Sequence, residues 1–285
     1  MDKKRRKFLK IAGLSTIAGL GAPAVFNQLV KGELHGLANA SAPQHGAEPQ
    51  HGGGHVEAAP TGIRLGMVID QRVFAANKGL GQKCIDACHL THNVPNFGNP
   101  KDEIKWIWET GYENAFPTAS HNLVSDKIHA QKFLVLCNHC DSPPCVRVCP
   151  TKATFKADDG KVIMDFHRCI GCRFCMAACP YGARSFNWRD PRGKDKNGRP
   201  FINRATYNKD FPTRMRGVVE KCNFCAERLA HGKDPACVEA AAGTNGIIYG
   251  DLNDPHSAIR KVLASNYTIQ RKPATGTKPS IFYIV

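Results

Sequence analysis

Residues 169–180 read Cys169-Ile170-Gly171-Cys172-Arg173-Phe174-Cys175-Met176-Ala177-Ala178-Cys179-Pro180. Gaps of two, two and three residues, closed by a proline, constrain this sequence more than any other feature. Two-residue gaps let one short loop wrap a cube of iron and sulfide and aim three thiolates at it. The three-residue gap carries the fourth cysteine onto a helix that faces a second centre, and Pro180 ends that helix. Structural zinc fits poorly, because it takes four ligands, usually from paired C-x2-C knuckles. The protein has 285 residues and 13 cysteines, all between positions 84 and 237. An odd number in tight groups favours metal over a set of disulfides.

A second run, Cys137-Asn138-His139-Cys140-Asp141-Ser142-Pro143-Pro144-Cys145-Val146-Arg147-Val148-Cys149-Pro150, has a longer middle gap but the same C-x3-C-P ending. In two-centre arrangements the fourth cysteine of each run serves the other run's cluster. Cys137, Cys140, Cys145 and Cys179 then hold one [4Fe–4S] cluster, and Cys169, Cys172, Cys175 and Cys149 hold another. Two runs are incomplete. Cys222-Asn223-Phe224-Cys225 is followed by Cys237, but the next position at that spacing is Ala241. Cys84-Ile85-Asp86-Ala87-Cys88 keeps only a three-residue gap, and stepping back from Cys84 gives Gly81 and Lys78. Pairing these outer runs by the same rule leaves Cys222, Cys225, Cys237 and Cys88 complete. The other site would need positions 78, 81, 84 and 241, of which three are not cysteine. Three clusters are therefore expected, with Cys84 left over as a non-ligand. The rival reading takes Cys84, Cys88 and His89 as a stretched haem-attachment motif, normally C-x2-C-H. It would orphan Cys222, Cys225 and Cys237.

The N-terminus reads as an address. Lys4-Arg5-Arg6-Lys7-Phe8-Leu9-Lys10 precedes a weakly apolar stretch to Val30, and Ala38-Asn39-Ala40 offers small residues for cleavage. This is the layout of a twin-arginine export signal over 1–40, a route that carries folded, cofactor-loaded proteins to the periplasm. As a membrane anchor the stretch would span poorly, being rich in glycine and broken by Pro23, Asn27 and Gln28. Residues 41–61, with His45, His51 and His55 among Ser, Pro, Gln, Gly and Ala, have the composition of a flexible tether. Metal binding by these histidines is the other reading.

Apolar content of 42% excludes a polytopic membrane protein and a fully disordered polypeptide. The net charge is +15; seven basic against two acidic residues in 1–40 leave +10 for the rest. No nucleic-acid motif accompanies it and thiolate-held clusters carry negative charge, so no nucleic-acid partner is expected. Short strands are expected at 64–70, 133–136, 161–165, 217–219 and 246–249, each near a cysteine loop. Helices are expected around 101–110 and 256–264, before a polar tail ending in Ile281-Phe282-Tyr283-Ile284-Val285. Residues 184–216 hold ten Lys/Arg against three Asp and read as a basic surface loop, either simply solvated or docking a partner.

The segments Asp165-Phe166-His167-Arg168-Cys169-Ile170-Gly171-Cys172, Cys179-Pro180-Tyr181-Gly182-Ala183-Arg184 and Gly250-Asp251-Leu252-Asn253-Asp254-Pro255 resemble the four-cluster ferredoxin-like subunits of membrane redox complexes. The resemblance spans about residues 63–265 and departs from the family at the lost cluster site. Together with an export signal and no C-terminal membrane helix, that loss resembles the periplasmic ferredoxin-like O subunits of Dsr-type complexes of sulfur metabolism. The resemblance implies an α+β protein of two ferredoxin-like modules with insertions. The inner module, 132–183, would hold two clusters. The outer, 63–92 plus 217–252, would hold one, with 253–285 as C-terminal helix and tail. It implies a non-catalytic electron-transfer subunit, an integral-membrane quinone-interacting partner and a neighbouring periplasmic multihaem cytochrome c. The alternative is the iron–sulfur beta subunit of a molybdopterin oxidoreductase or hydrogenase. Phe174, Phe224 and Tyr181 are read as shields around clusters. A catalytic iron–sulfur enzyme would need an open iron site or a second cofactor, and a zinc-stapled binding module is the remaining reading.

Overall fold

Burial on both faces makes Leu65–Asp70, β1, the hub of the fold in the computed structural model, which describes residues 62–285 apart from Asn122 and Thr213. The export segment and tether expected over 1–61 lie outside the described residues. In sequence order β1 is followed by α1 (Gln71–Ala76), α2 (Leu80–Thr91), β2 (Ile107–Gly111), α3 (Tyr112–Ala115), α4 (Asp126–His129) and β3 (Lys132–Leu136). Next come α5 (Pro144–Arg147), β4 (Thr154–Lys156), β5 (Val162–Met164), α6 (Phe174–Ala178), β6 (Ser185–Phe186) and β7 (Val219–Glu220). The last elements are α7 (Ala226–Leu229), α8 (Ala236–Ala241), β8 (Ile247–Asp251), α9 (Ala258–Ser265), β9 (Thr268–Ile269) and β10 (Ile281–Ile284). This is an α+β protein. No helix among the described residues is long and apolar enough to cross a membrane.

The main sheet has the order β8-β1-β10-β9, and β1 runs parallel to β10 but antiparallel to β8. Alternation along β1 divides its side chains between two layers. Met67 and Ile69 join the large core with Trp106, Leu136, Ile247 and Tyr283, while Val68 turns toward Ile259 of α9. Ser257 caps α9 by accepting from the Arg260 backbone N–H at 3.3 Å. The terminal run Ile281–Ile284 is thus a strand held between β1 and β9, which its polar approach in sequence does not announce.

Three two-stranded sheets complete the fold: β2–β3, β4–β5 and β6–β7. The helix expected around 101–110 does not form. Pro100–Asp102 is a single 3-10 turn and Ile107–Gly111 is a strand paired with β3. Ile and Trp at 107 and 108 suit a pleated, half-buried surface, and pairing with the buried strand β3 outweighs helical propensity. The basic stretch 184–216 is not simply solvated. Phe201, Phe211 and Arg214 are buried, and Arg214 forms a 2.8 Å ion pair with Glu220 in which neither side chain is exposed. Glu220 also accepts from the Trp106 indole N–H at 2.9 Å and the Asn187 amide at 2.6 Å. Arg214 donates further to the carbonyls of His92 and Asn93, at 2.7 and 3.1 Å. The insertion is thereby bolted to the turn that follows α2.

Candidate metal centres

Every two-residue cysteine loop contains a left-handed residue. It stands before the second cysteine in three of them, His139 at φ 40°, Gly171 at φ 72° and Phe224 at φ 62°, and after the first in the Cys172–Cys175 loop, where Arg173 has φ 63°. Such a reversal curls a short loop around a central space. Gly171 has no alternative, because a Cβ there would run into the Gly217 carbonyl oxygen. In the third loop the Phe224 N–H approaches Cys222 Sγ at 3.4 Å, and the Ala236 N–H approaches Cys225 Sγ at 3.4 Å. N–H···S hydrogen bonds of this kind fix sulfur orientation and tune the basicity of a metal-binding thiolate.

Twelve of the thirteen cysteines line three cavities, four to each, and each quartet draws on two separate runs. Cys137, Cys140, Cys145 and Cys179 surround the first, with Pro143, Val162, Tyr181 and Arg184 completing the wall. Cys149, Cys169, Cys172 and Cys175 surround the second, with Ala153, Met164 and Val219. Cys88, Cys222, Cys225 and Cys237 surround the third, with Met67, Ile107, Leu136 and Phe224. The cavities follow one another. Arg184, in the wall of the first, reaches within 3.8 Å of Met164 Sδ in the wall of the second. The His139 ring, in the loop of the first, lies 4.3 Å from that of Phe224 in the third.

The donor sets suit a group larger than one ion. Tetrahedral zinc with 2.3 Å bonds holds its sulfurs about 3.8 Å apart. Among the described residues no three cysteine sulfurs lie within 4.8 Å of one another. Charge points the same way. Arg184 is 5% exposed and Lys221 is fully buried, yet their hydrogen-bond partners among the described residues are neutral. Arg184 donates to the Thr154 hydroxyl at 3.1 Å, and Lys221 to the carbonyls of Val162 and Cys222. Arg184 Nη2 and both polar atoms of the Asn138 amide, all lining the first cavity, have no partner among the described residues. Buried cations without counter-charge are costly. Thiolate sulfurs holding an iron–sulfur group would supply the missing negative charge, so these residues fit such a group.

The thiols respond to the same crowding. Burial, then the neighbouring cysteines, pushes Cys222 and Cys237 well above the ordinary thiol range. At Cys149 burial also raises the value, but hydrogen bonds from Thr154, Thr151 and Ala153 outweigh it and the net direction is downward. His92 was not singled out by sequence. Its Nδ1 lies 2.8 Å from the Cys88 carbonyl and 3.5 Å from Cys88 Sγ, and its Nε2 lies 2.8 Å from Glu227. Its ring stacks on Trp106 at 4.3 Å.

Cys84 is placed apart. It sits on the continuous helix α2, is wholly buried, and donates to the Cys237 carbonyl at 3.5 Å. Burial pushes its thiol up to about 12. The other positions of the incomplete site carry no thiol. Lys78 is exposed, Gly81 lies under the end of the Glu109 side chain, and Ala241 is buried where α8 ends against α2. A twelve-residue helix stands where a ligand-bearing loop would have to wrap. Of the three aromatic residues read as shields, Phe224 and Tyr181 are buried in cavity walls, whereas Phe174 is 59% exposed.

Residues 129–194 match the 4Fe-4S dicluster domain. Over 210 residues the sequence is 40% identical to the Hdr-like menaquinol oxidoreductase iron-sulfur subunit 1 of Archaeoglobus fulgidus, covering 70% of the present protein and 71% of that relative. It is 34% identical over 247 residues to the menaquinone reductase iron-sulfur cluster-binding subunit of Nitratidesulfovibrio vulgaris, covering 78% and 89%. The B subunit of polysulfide reductase from Wolinella succinogenes is 40% identical over 224 residues, covering 78% and 94%.

Proposed function

This protein belongs to the family of iron–sulfur subunits of quinone-linked and respiratory reductases, and on that premise we propose that it is a three-cluster electron wire. Cys137, Cys140, Cys145 and Cys179 hold one [4Fe–4S] cluster. Cys169, Cys172, Cys175 and Cys149 hold the second, and Cys222, Cys225, Cys237 and Cys88 the third. Cys84 holds nothing. The observation that carries this reading is the gathering of twelve cysteines into three quartets, each mixing two sequence runs, around three successive cavities. Such clusters accept and release single electrons.

The protein's own residues set the conditions for that traffic. Arg184 and Lys221 place buried positive charge between neighbouring cavities, which favours the more negative, reduced state on either side. Val162, Met67, Leu136 and Phe224 exclude water from the cavity walls. The α2 helix, with Lys78 and Gly81 in place of cysteines, ends the wire at the third cavity. The wire is carried by two ferredoxin-like modules, 132–183 with two clusters and 63–92 plus 217–252 with one. The twin-arginine signature supports export to the periplasm, where the protein is bound to a quinone-interacting membrane subunit with a multihaem cytochrome c nearby. This arrangement is that of the O subunits of Dsr-type complexes. Purification of the native complex from membranes tests it. Co-isolation of a polytopic subunit and a c-type cytochrome is the expected result, and a molybdopterin-containing partner would replace this assignment.

A further inference from the structure

Of the twelve cysteines around the three cavities, Cys172 alone is exposed. The surface around it is apolar. Ile170 and Phe174, its neighbours in the loop, are 68% and 59% exposed, and Trp188 and Met215 are 49% and 53% exposed. The groups belong to one face. The Arg173 guanidinium lies 4.7 Å from the Trp188 ring, and Gly171 packs directly on the Gly217 carbonyl, which brings Met215 and Arg216 to the same loop. Cations accompany the patch: Arg168, Arg173 and Arg216 are exposed, Asp165 is paired with Arg168 at 3.3 Å, and Asp190, two residues from Trp188, is paired with Arg192 at 2.8 Å. Exposed apolar groups gathered in one patch mark an interaction surface. Trp, Phe, Met and Arg are the residues enriched in interface centres.

We propose that this face docks a redox protein whose own surface is apolar and rimmed by carboxylates, and that electrons cross it at the Cys172 corner of the second cavity. The proposal rests on the reading that this cavity holds a cluster. Electron transfer falls steeply with distance, so contact here gives a partner the shortest path to the wire. A basic rim steers an acidic partner and raises its encounter rate. An anionic lipid surface would also attract Trp, Phe and Arg, but lipid over Cys172 would insulate the site instead of supplying a redox group. A cluster held by Cys149, Cys169, Cys172 and Cys175 would give up one electron to an oxidised one-electron acceptor of the partner, such as a ferric haem, with no proton or group moved.

The test uses the full-length, cluster-loaded protein, reduced with dithionite, freed of excess reductant and mixed with an acidic c-type cytochrome in a stopped-flow instrument. Ferrous haem absorption reports the rate, and iron content and EPR of each variant report its clusters. The rate should fall as salt rises. Arg168→Glu with Arg173→Glu should slow it about tenfold at low salt, while Lys261→Glu, on exposed α9 outside the patch, changes it less than twofold. Trp188→Ala should slow it at low and high salt alike, because apolar contact is not screened. Should the Arg173 change disturb the loop, Arg168→Glu with Arg216→Glu tests the same rim. Wild-type rates in charge-reversed variants with intact clusters would overturn the proposal. So would unchanged rates accompanied by lost binding to phosphatidylglycerol vesicles, which would make the face a lipid-binding surface. Absence of the second cluster from the wild-type protein would instead overturn the functional reading beneath it.

Discussion

Cys84 and Cys88 lie one helical turn apart on α2, both buried, and they should behave oppositely when replaced by alanine, which cannot bind iron. Cys84→Ala removes one sulfur atom from a filled position and a weak donor from the Cys237 carbonyl. Deletion of one buried heavy atom costs about 1 kcal/mol. In a domain of this size that lowers the melting temperature by about 2–4 °C. Iron should stay at about twelve atoms per protein, four for each cluster. Cys88→Ala removes one wall of the third cavity. Iron should fall to about eleven if one atom leaves, or about eight if the whole cluster is lost. Low-temperature EPR should show one changed centre and two unchanged ones. Parallel anaerobic purification with iron, sulfide and EPR analysis decides it. Iron loss in Cys84→Ala, or twelve irons retained in Cys88→Ala, would refute the pairing of the outer runs. Loss of a covalent haem in both variants would establish the haem reading of residues 84–89.

Two further variants have defined outcomes. Arg214→Leu strands the Glu220 carboxylate in the interior with only the Trp106 and Asn187 donors, and should destabilise the protein by about 3–5 kcal/mol. Urea unfolding of the cluster-loaded protein measures it, and a loss below about 1 kcal/mol would show that the buried pair does not hold the insertion in place. Arg5→Lys with Arg6→Lys should strand the protein in the cytoplasm with its clusters assembled. Normal periplasmic levels, measured by fractionation, would show that another signal carries it.

Spacing made the cysteine groups legible. A three-residue gap on a helix turns the fourth thiol away from its own loop, which is why spacing groups Cys149 with Cys169 and Cys88 with Cys222, residues that stand around the second and third cavities. The strand positions near the cysteine loops were readable for a similar reason, since each is a short β-branched or aliphatic run beside a turn. The supporting charges were not. Arg184 and Lys221 look like any surface cations in sequence, and only packing against β4 and β5 buries them. The Arg214–Glu220 pair escaped notice because a Lys/Arg-rich insertion is usually solvated, and nothing local reveals that two of its aromatic residues are anchored. The strand at 107–111 was misread because two tryptophans and a preceding charged stretch are compatible with a helix until β3 supplies a partner. Phe174 could not be told from Phe224 by motif position. Each sits beside a cysteine, but Phe224 faces a cavity wall and Phe174 faces solvent.

The most direct measurement is the count of iron and acid-labile sulfide in the anaerobically purified, full-length protein, joined to spin quantitation after stepwise reduction. The account predicts about twelve of each per protein and three distinguishable S = 1/2 signals, one for each four-iron cluster. About sixteen of each would contradict the loss of the fourth site, whose positions 78, 81 and 241 carry no cysteine, and about eight would contradict the third cavity as a metal centre.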